Sequence, residues 1–291
     1  MSILLFGSGG QLGAALRWRA LASGRSVLGL SHQDIDICDM DAIAAALVMQ
    51  KPDIVINCAA YTNVDQAERE PVLAFEVNET GAGNVAAATA EAGLPLLTIS
   101  TDYVFAGAED TAYAESHATG PINAYGRSKL AGEHRTALLN PRHIIIRTSW
   151  LFGEIGNNFV KTMLRLGVEQ SDGIINVVDD QFGGPTPAAA LADALLAISA
   201  RLIDDRQFDK WGVYHFAGRP TVSWFAFAEA ILAGRTTAEL HPVATAEMPR
   251  AARRPANSSL SCTRINEVFG IEQPDWREAL TALLIKLDTG A

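Results

Sequence analysis

Short apolar runs alternate with longer amphipathic stretches along the first half of the chain. Residues 3–6 are continuously apolar and predict a buried strand, and residues 12–21 follow with apolar positions at helical spacing. The same alternation predicts strands at 26–30, 53–57 (DIVIN), 96–100 and 143–148 (HIIIRT), with helices at 41–49, 71–92 and 123–138. Pro71 stands at the start of its helix, where a missing N–H costs little. Strands alternating with helices imply parallel units joined by right-handed crossovers. Near-continuous apolar strands imply a sheet covered on both faces. The expected class is therefore α/β, with a doubly wound parallel sheet.

The second half is less regular. Residues 187–200 predict a strong helix, 212–217 (GVYHFA) a further strand, and 224–232 and 276–287 amphipathic helices. The stretch between Ala233 and Ser261 is rich in polar residues, proline and arginine. No internal repeat or low-complexity tract is present. This pattern suggests a small C-terminal lobe beside the main sheet, with ligand at the carboxyl ends of the strands, between the two parts.

Composition narrows the function. The chain has 291 residues, 48% hydrophobic and 19% charged, enough for a full core. A net charge of −10 argues against wrapping nucleic acid, which needs a basic face, but leaves room for a local pocket for a small anion. Cys38, Cys58 and Cys262 form no CxxC pair and read as buried thiols in a reducing compartment. The first residues, MSILLFGSGGQLG, lack a basic n-region, and no apolar stretch reaches the ~18 residues a bilayer requires. A soluble cytoplasmic protein with no membrane partner is expected, as a monomer or homodimer.

Gly7, Gly10 and Gly13 give G-x-x-G-x-x-G directly after the first strand. Gly7 permits the tight turn, Gly10 lets a pyrophosphate approach the backbone, and Gly13 lets the helix sit close to the sheet. The helix start adds free N–H groups and a positive dipole end. This is the phosphate loop of a Rossmann-type dinucleotide site. The second strand ends Leu30-Ser31-His32, without the acid that would favour a free ribose hydroxyl. Ser31 and His32 either bond a 2′-phosphate or are ordinary solvated loop residues. NADPH is expected, with NADH also accepted.

Three segments should meet on the edge of the sheet that carries this loop: Asn57 to Thr62, Ser100 to Phe105, and Tyr125 to Lys129. Tyr125 and Lys129 are four apart and share a helix face. A neighbouring ammonium favours tyrosinate and pulls a phenol down from its usual value near ~10. Such a tyrosine exchanges a proton with a carbonyl or alcohol, the Thr101 hydroxyl can hold the same oxygen, and Lys129 can also reach the nicotinamide ribose. The arrangement suits hydride transfer.

The chain resembles the extended short-chain dehydrogenases, and within them the dTDP-4-dehydrorhamnose reductase family. The resemblance runs in family order through GSGGQLG (7–13), PDIVINCAAYTNVDQAE (52–68), STDYVFAG (100–107), NAYGRSKLAGE (123–133), RTSWLFG (147–153), NNFVKTML (157–164), DDQFGGPT (179–186) and RRPANSSL (253–260). It implies a Rossmann core at 1–150 with about 186–217, and a sugar-nucleotide lobe at about 151–185 and 218–291. It implies reduction of a 4-keto-6-deoxy nucleotide sugar, with catalytic Thr101, Tyr125 and Lys129. Cofactor contacts are implied at Gln11, Leu12, Asp36, Ile37, Ala59, Ala60 and Tyr61, and sugar contacts at Thr101, Asp102 and Trp150. Some members bind magnesium through a glutamate two positions after the third glycine; Ala15 stands there, and no metal is expected.

Other residues bear on the same site. Trp150 offers a flat face for a pyranose or is a core tryptophan. Arg254, clustered with Arg250 and Arg253, offers a fork for a diphosphate or is a solvated loop charge. Asn158 and Gln181 carry weaker support. The six histidines show no ligand spacing. Two rivals are a sugar-nucleotide epimerase or dehydratase, and a non-catalytic regulatory subunit of the methionine adenosyltransferase type. A dehydratase calls for Asp-Glu after the threonine, where this chain has Asp102-Tyr103; intact Thr101, Tyr125 and Lys129 favour catalysis over regulation.

Overall fold

The computed structural model describes residues 2–289. The strands are β1 (Ser2–Phe6), β2 (Ser26–Leu30), β3 (Ile54–Asn57), β4 (Leu96–Thr101), β5 (His143–Thr148), β6 (Leu151–Phe152), β7 (Ile174–Val178), β8 (Phe182–Gly183), β9 (Thr186–Pro187), β10 (Gly212–His215), β11 (Val222–Ser223) and β12 (Glu239–Val243). The helices are α1 (Gln11–Ala22), α2 (Met40–Gln50), α3 (Val64–Arg69), α4 (Pro71–Phe75), α5 (Ala82–Glu91), α6 (Ala124–Leu139), α7 (Phe159–Glu169), α8 (Ala188–Asp204), α9 (Trp224–Leu232), α10 (Thr263–Phe269) and α11 (Trp276–Thr289).

Six strands form one parallel sheet in the order β10-β5-β4-β3-β1-β2. Alternation along β1 shows why it is doubly wound. Ile3 and Leu5 pack with Leu16, Ile56, Ile146 and Leu195 on one face, while Leu4 and Phe6 pack with Ile43, Leu47, Val55 and Val85 on the other. All four of these β1 residues are fully buried, so both faces carry helices. The chain reverses direction of winding between β1 and β3. That switch point opens a crevice above the carboxyl ends of the strands, where ligands of such sheets bind.

A third hydrophobic cluster lies apart from these two faces. Phe152, Val160, Met163, Ile175, Val177, Phe227, Ile231, Trp276 and Leu280 form it, from β6, α7, β7, α9 and α11, with Leu240 of β12, the parallel partner of β7, packed against it. The sequence pattern contains no hint of β12. Its residues are half or fully exposed, and Pro242 lies within it, tolerable because the pair β12–β7 has only two strands.

The helix expected over 71–92 is interrupted. Pro71–Phe75 and Ala82–Glu91 are α-helical, but Glu76–Gly81 between them is a π-turn. Such a turn inserts a residue and often marks a functional site. Here it swings Asn78 into the protein, where it is 1% exposed.

Candidate active site

The glycine loop leaves β1 with Gly7 at φ +79, a conformation that favours glycine. A Cβ at Gly7 would lie 2.4 Å from the Ala59 nitrogen, and one at Gly13 would lie 2.3 Å from the Gly7 carbonyl oxygen. Both glycines are required by the fold alone. Gly10 differs: its Cβ would meet nothing nearer than 3.5 Å. The protein itself leaves that side open, as a cradle for a pyrophosphate against backbone N–H groups requires.

Two adjoining cavities of about 370 Å³ each flank Gly10, Cys58 and Ala60. One is lined by Gly7, His32, Asp36, Ile37, Ala59 and Val77, and fits the adenosine half of a dinucleotide. The other is lined by Gln11, Leu12, Gly13, Thr62, Thr101, Asp102, Tyr125, Lys129, Thr148, Trp150 and Asn157. The three segments expected to meet do meet here. At the tip of β2 the Ser31 hydroxyl donates to Asp34 (2.7 Å) and so is engaged, leaving His32 in the cavity wall.

Local capping places α6. Asn123 accepts from Gly126 N (2.7 Å), and Glu68 accepts from Ala124 N (2.7 Å). A Cβ at Gly126 would lie 2.2 Å from the Tyr103 carbonyl oxygen, so the helix presses on the turn after β4. Tyr125 then meets Tyr103 edge to face at 5.8 Å. Asn78 ties the parts together. Its Oδ1 accepts from Tyr61 N (2.9 Å), and its Nδ2 donates to the Tyr61 carbonyl (3.0 Å) and to Ser128 Oγ (2.9 Å). The loop after β3 is thereby fixed to the helix between Tyr125 and Lys129. Sequence reasoning missed Asn78 because only the π-turn turns it inward.

The electrostatics depart from the simple expectation. Burial raises the Tyr125 phenol above its ordinary range, and this outweighs the hydrogen bond with Thr101, which lowers it. Lys129 is turned to the Ile99 carbonyl (2.8 Å) and does not acidify the phenol. Burial draws Lys129 down to about 8, opposed by the charge of Glu133. Asp102 is 3% exposed, and burial pushes its carboxyl up to about 7. Its Oδ1 accepts from Thr101 Oγ1 (2.9 Å), and its Oδ2 has no partner. The nearby Ser258 hydroxyl favours the ionised form but bonds the Phe182 carbonyl (3.2 Å).

Several residues sit differently from expectation. Arg254, expected to offer a fork to a diphosphate, is engaged within the protein. Its Nη1 and Nη2 donate to Asp65 Oδ1 and Oδ2 (2.7 and 2.8 Å), and Nη1 also donates to the Ala252 carbonyl (2.6 Å). Arg254 also interacts with Tyr103 and is not among the residues that line the cleft. Tyr61 turns its hydroxyl to Glu70 (3.0 Å), away from both cavities. Asn158 caps α7 and donates to Gln11 Oε1 (2.8 Å), bracing the glycine loop, while Gln181 bonds Thr245. Trp150 has φ +47, rare for a residue with a side chain, and its ring lies flat on Trp224, so one face is already covered. No group of three or more metal-ligating side chains converges among the described residues. No helix among them is long and apolar enough to cross a membrane.

Comparison with known proteins gives the family. The family model described as RmlD substrate binding domain matches residues 1–289. The chain is 42% identical to the dTDP-4-dehydrorhamnose reductase of Aggregatibacter actinomycetemcomitans, over 96% of each chain. A dTDP-4-dehydrorhamnose reductase structure from Clostridium acetobutylicum superposes with a TM-score of 0.91 at 36% identity, covering 99% of this chain and 100% of that one. One from Bacillus anthracis, in complex with NADP, gives 0.90 at 39% identity, covering 98% and 99%. The chain therefore belongs to the RmlD substrate binding domain family, that of the dTDP-4-dehydrorhamnose reductases.

Proposed function

We propose that this protein reduces dTDP-4-dehydro-L-rhamnose to dTDP-L-rhamnose with NADPH, and accepts NADH. The observation that carries the reading is one cleft that joins the glycine loop to Thr101, Tyr125 and Lys129. When bound there, the nicotinamide supplies the hydride that reduces C4 of the sugar. The residues of the chain do the rest. Gly7, Gly10, Gln11, Leu12 and Gly13 hold the pyrophosphate end, with Asp36, Ile37, Ala59 and Ala60 along the adenosine side. Thr101 holds the ketone oxygen. Tyr125, kept protonated by its buried setting, gives its proton to that oxygen as the hydride arrives. Lys129, which lines the same cleft, holds the nicotinamide ribose.

The sugar lies against Asp102 and the exposed part of Trp150. Asp102, held near neutrality, bonds a sugar hydroxyl as donor or acceptor. The same reading divides the chain into a cofactor core, 1–150 with about 186–217, and a sugar-nucleotide lobe, about 151–185 and 218–291. The separate third hydrophobic cluster supports a distinct lobe, while Leu260, Cys262 and Ile265 of its last segment pack into the main core. All three cysteines are free thiols, which suits a reducing cytoplasmic compartment. The test is purified protein with NADPH and dTDP-4-dehydro-L-rhamnose. Consumption of NADPH with formation of dTDP-L-rhamnose is expected; no oxidation of either cofactor overturns the reading.

A further inference from the structure

Tyr125, Lys129 and Glu133 are spaced four apart on α6 and share the face that lies on β4 and β5. Lys129 and Glu133 meet adjacent residues of β4. The Lys129 ammonium donates to the Ile99 carbonyl (2.8 Å), and the Glu133 carboxylate accepts from the Ser100 hydroxyl (2.5 Å). Glu133 also accepts from Arg147 Nε and Nη2, at 2.9 and 2.6 Å. Ser100 and Arg147 are paired in register across β4 and β5, so both reach Glu133 from one side of the sheet. Arg147 is held in turn by the Phe105 ring, 5.0 Å from its guanidinium carbon. Lys129, Glu133 and Arg147 are 7%, 4% and 4% exposed, so water screens none of them.

Glu133 does not line the cleft and touches neither ligand in the proposed reaction. As a stability device alone it is a poor choice, because desolvating an ion pair often costs more than the attraction returns, and an apolar pair would pack as well. The geometry points to Glu133 as a positioning residue for the reduction: clamped by Arg147 and Ser100, it is the counter-charge that keeps Lys129 an ammonium directed at the active-site cleft. The inference rests on the role proposed for Lys129.

The groups facing Lys129 are few. Cys58 reaches it from the segment after β3, Tyr125 and Glu133 share its helix, Asp102 lines the same cleft from the turn after β4, and Arg147 on β5 acts through Glu133. Cys58 is pushed up to about 12 and stays a neutral thiol, so Glu133 is the leading charge that opposes the burial of the ammonium. Without it, Lys129 loses its proton at a lower pH than its present value of about 8. Both NADPH binding and turnover need the ammonium, so both should fail earlier as pH rises.

The experiment compares the full-length wild-type enzyme with Glu133→Gln and Glu133→Asp. It measures the NADPH dissociation constant by cofactor fluorescence, and kcat/KM, from pH 6 to 10. In Glu133→Gln the alkaline limb of both profiles should move down by about one pH unit or more. Glu133→Asp keeps the charge and should restore the limb to within about 0.3 unit of wild type. The double variant Glu133→Gln/Arg147→Met removes the guanidinium that the single change would leave unpaired, and should move the limb in the same direction by a smaller amount, even where the single variant unfolds. A folded variant without the carboxylate whose limbs do not move overturns the proposal and leaves Glu133 structural. A Lys129→Met variant that binds NADPH and turns over normally overturns instead the reading of the site, and this proposal with it.

Discussion

The indole of Trp150 lies flat on that of Trp224, with ring centroids 3.4 Å apart and planes 6° from parallel. Gly183 closes on the same ring: a Cβ there would lie 2.4 Å from Trp150 Cε2. The strand pair β8–β11 sets both contacts, because it carries Gly183 and ends at Ser223, the N-cap before Trp224. Gly183→Ala should therefore displace Trp150, with an overpacking cost of about 1–3 kcal/mol. KM for the sugar nucleotide should rise at least about tenfold while that for NADPH changes less, since the glycine loop and not Trp150 holds the cofactor. Steady-state kinetics with each ligand varied in turn checks it; equal changes in both constants would show a general loss of fold.

The glycine loop offers a sharper separation of folding from binding. Gly13→Ala drives a Cβ into the Gly7 carbonyl and should lower stability by about 2 kcal/mol or more. Gly10→Ala meets only ordinary contact at 3.5 Å, so its melting temperature should stay within about 2 °C of wild type. Its NADPH affinity should nevertheless fall about tenfold or more, because the added methyl stands where the pyrophosphate approaches. Calorimetry of folding and of cofactor binding on the two variants distinguishes the roles. A Gly10→Ala protein with native NADPH affinity would contradict the cradle.

Arg254 holds Asp65 across 189 positions of sequence, and its effect should be on stability. The Arg254 guanidinium holds the Asp65 carboxyl down at about 2, below its unfolded value near ~3.9. A depressed carboxylate contributes stability above the unfolded value and loses it as pH falls through the folded one. Arg254→Ala should thus destabilise by on the order of 1 kcal/mol at neutral pH, after allowing for the partial exposure of Asp65. The difference from wild type should shrink between pH 4 and 2. Denaturant unfolding at several pH values measures this; a gap that is constant down to pH 2 would rule out the pair as its origin.

Much of the fold was legible because the sheet advertises itself. Every residue of β3 is buried, so its apolar run admits few other readings, and the glycine loop stands where β1 meets α1. Tyr125 and Lys129 were legible from helical spacing, and Glu133 follows them at the same interval. Its role was not legible, because Ser100 and Arg147 lie on strands whose register no local pattern reveals. The partner of Arg254 was not legible for the same reason: Asp65 lies 189 positions away in sequence. Trp224 carries no local signal at all, and its importance comes from β11 meeting β8.

His215 gives a pH test of the core beneath the site. It is fully buried against Phe105, with ring centroids 5.7 Å apart, and burial together with the Arg147 charge lowers its pKa to about 3. The unfolded chain binds a proton there near pH 6.5 while the folded chain does not, so stability is complete above that pH and declines as pH falls towards 3. In His215→Phe the slope of unfolding free energy between pH 6 and 4 should become shallower by about 1.4 kcal/mol per pH unit. Urea melts across that range check the slope; an unchanged slope would mean that His215 is protonated in the native state.

The central claim is that Tyr125 delivers the proton while the rest of the cleft binds and orients. Tyr125→Phe removes the hydroxyl and keeps the ring against Tyr103. The most direct measurement is single-turnover oxidation of NADPH by this variant with dTDP-4-dehydro-L-rhamnose, alongside its NADPH dissociation constant. The expected result is a rate on the order of 10²-fold or more below wild type with cofactor affinity within about threefold. A near-normal rate in a variant that binds NADPH normally would contradict the account.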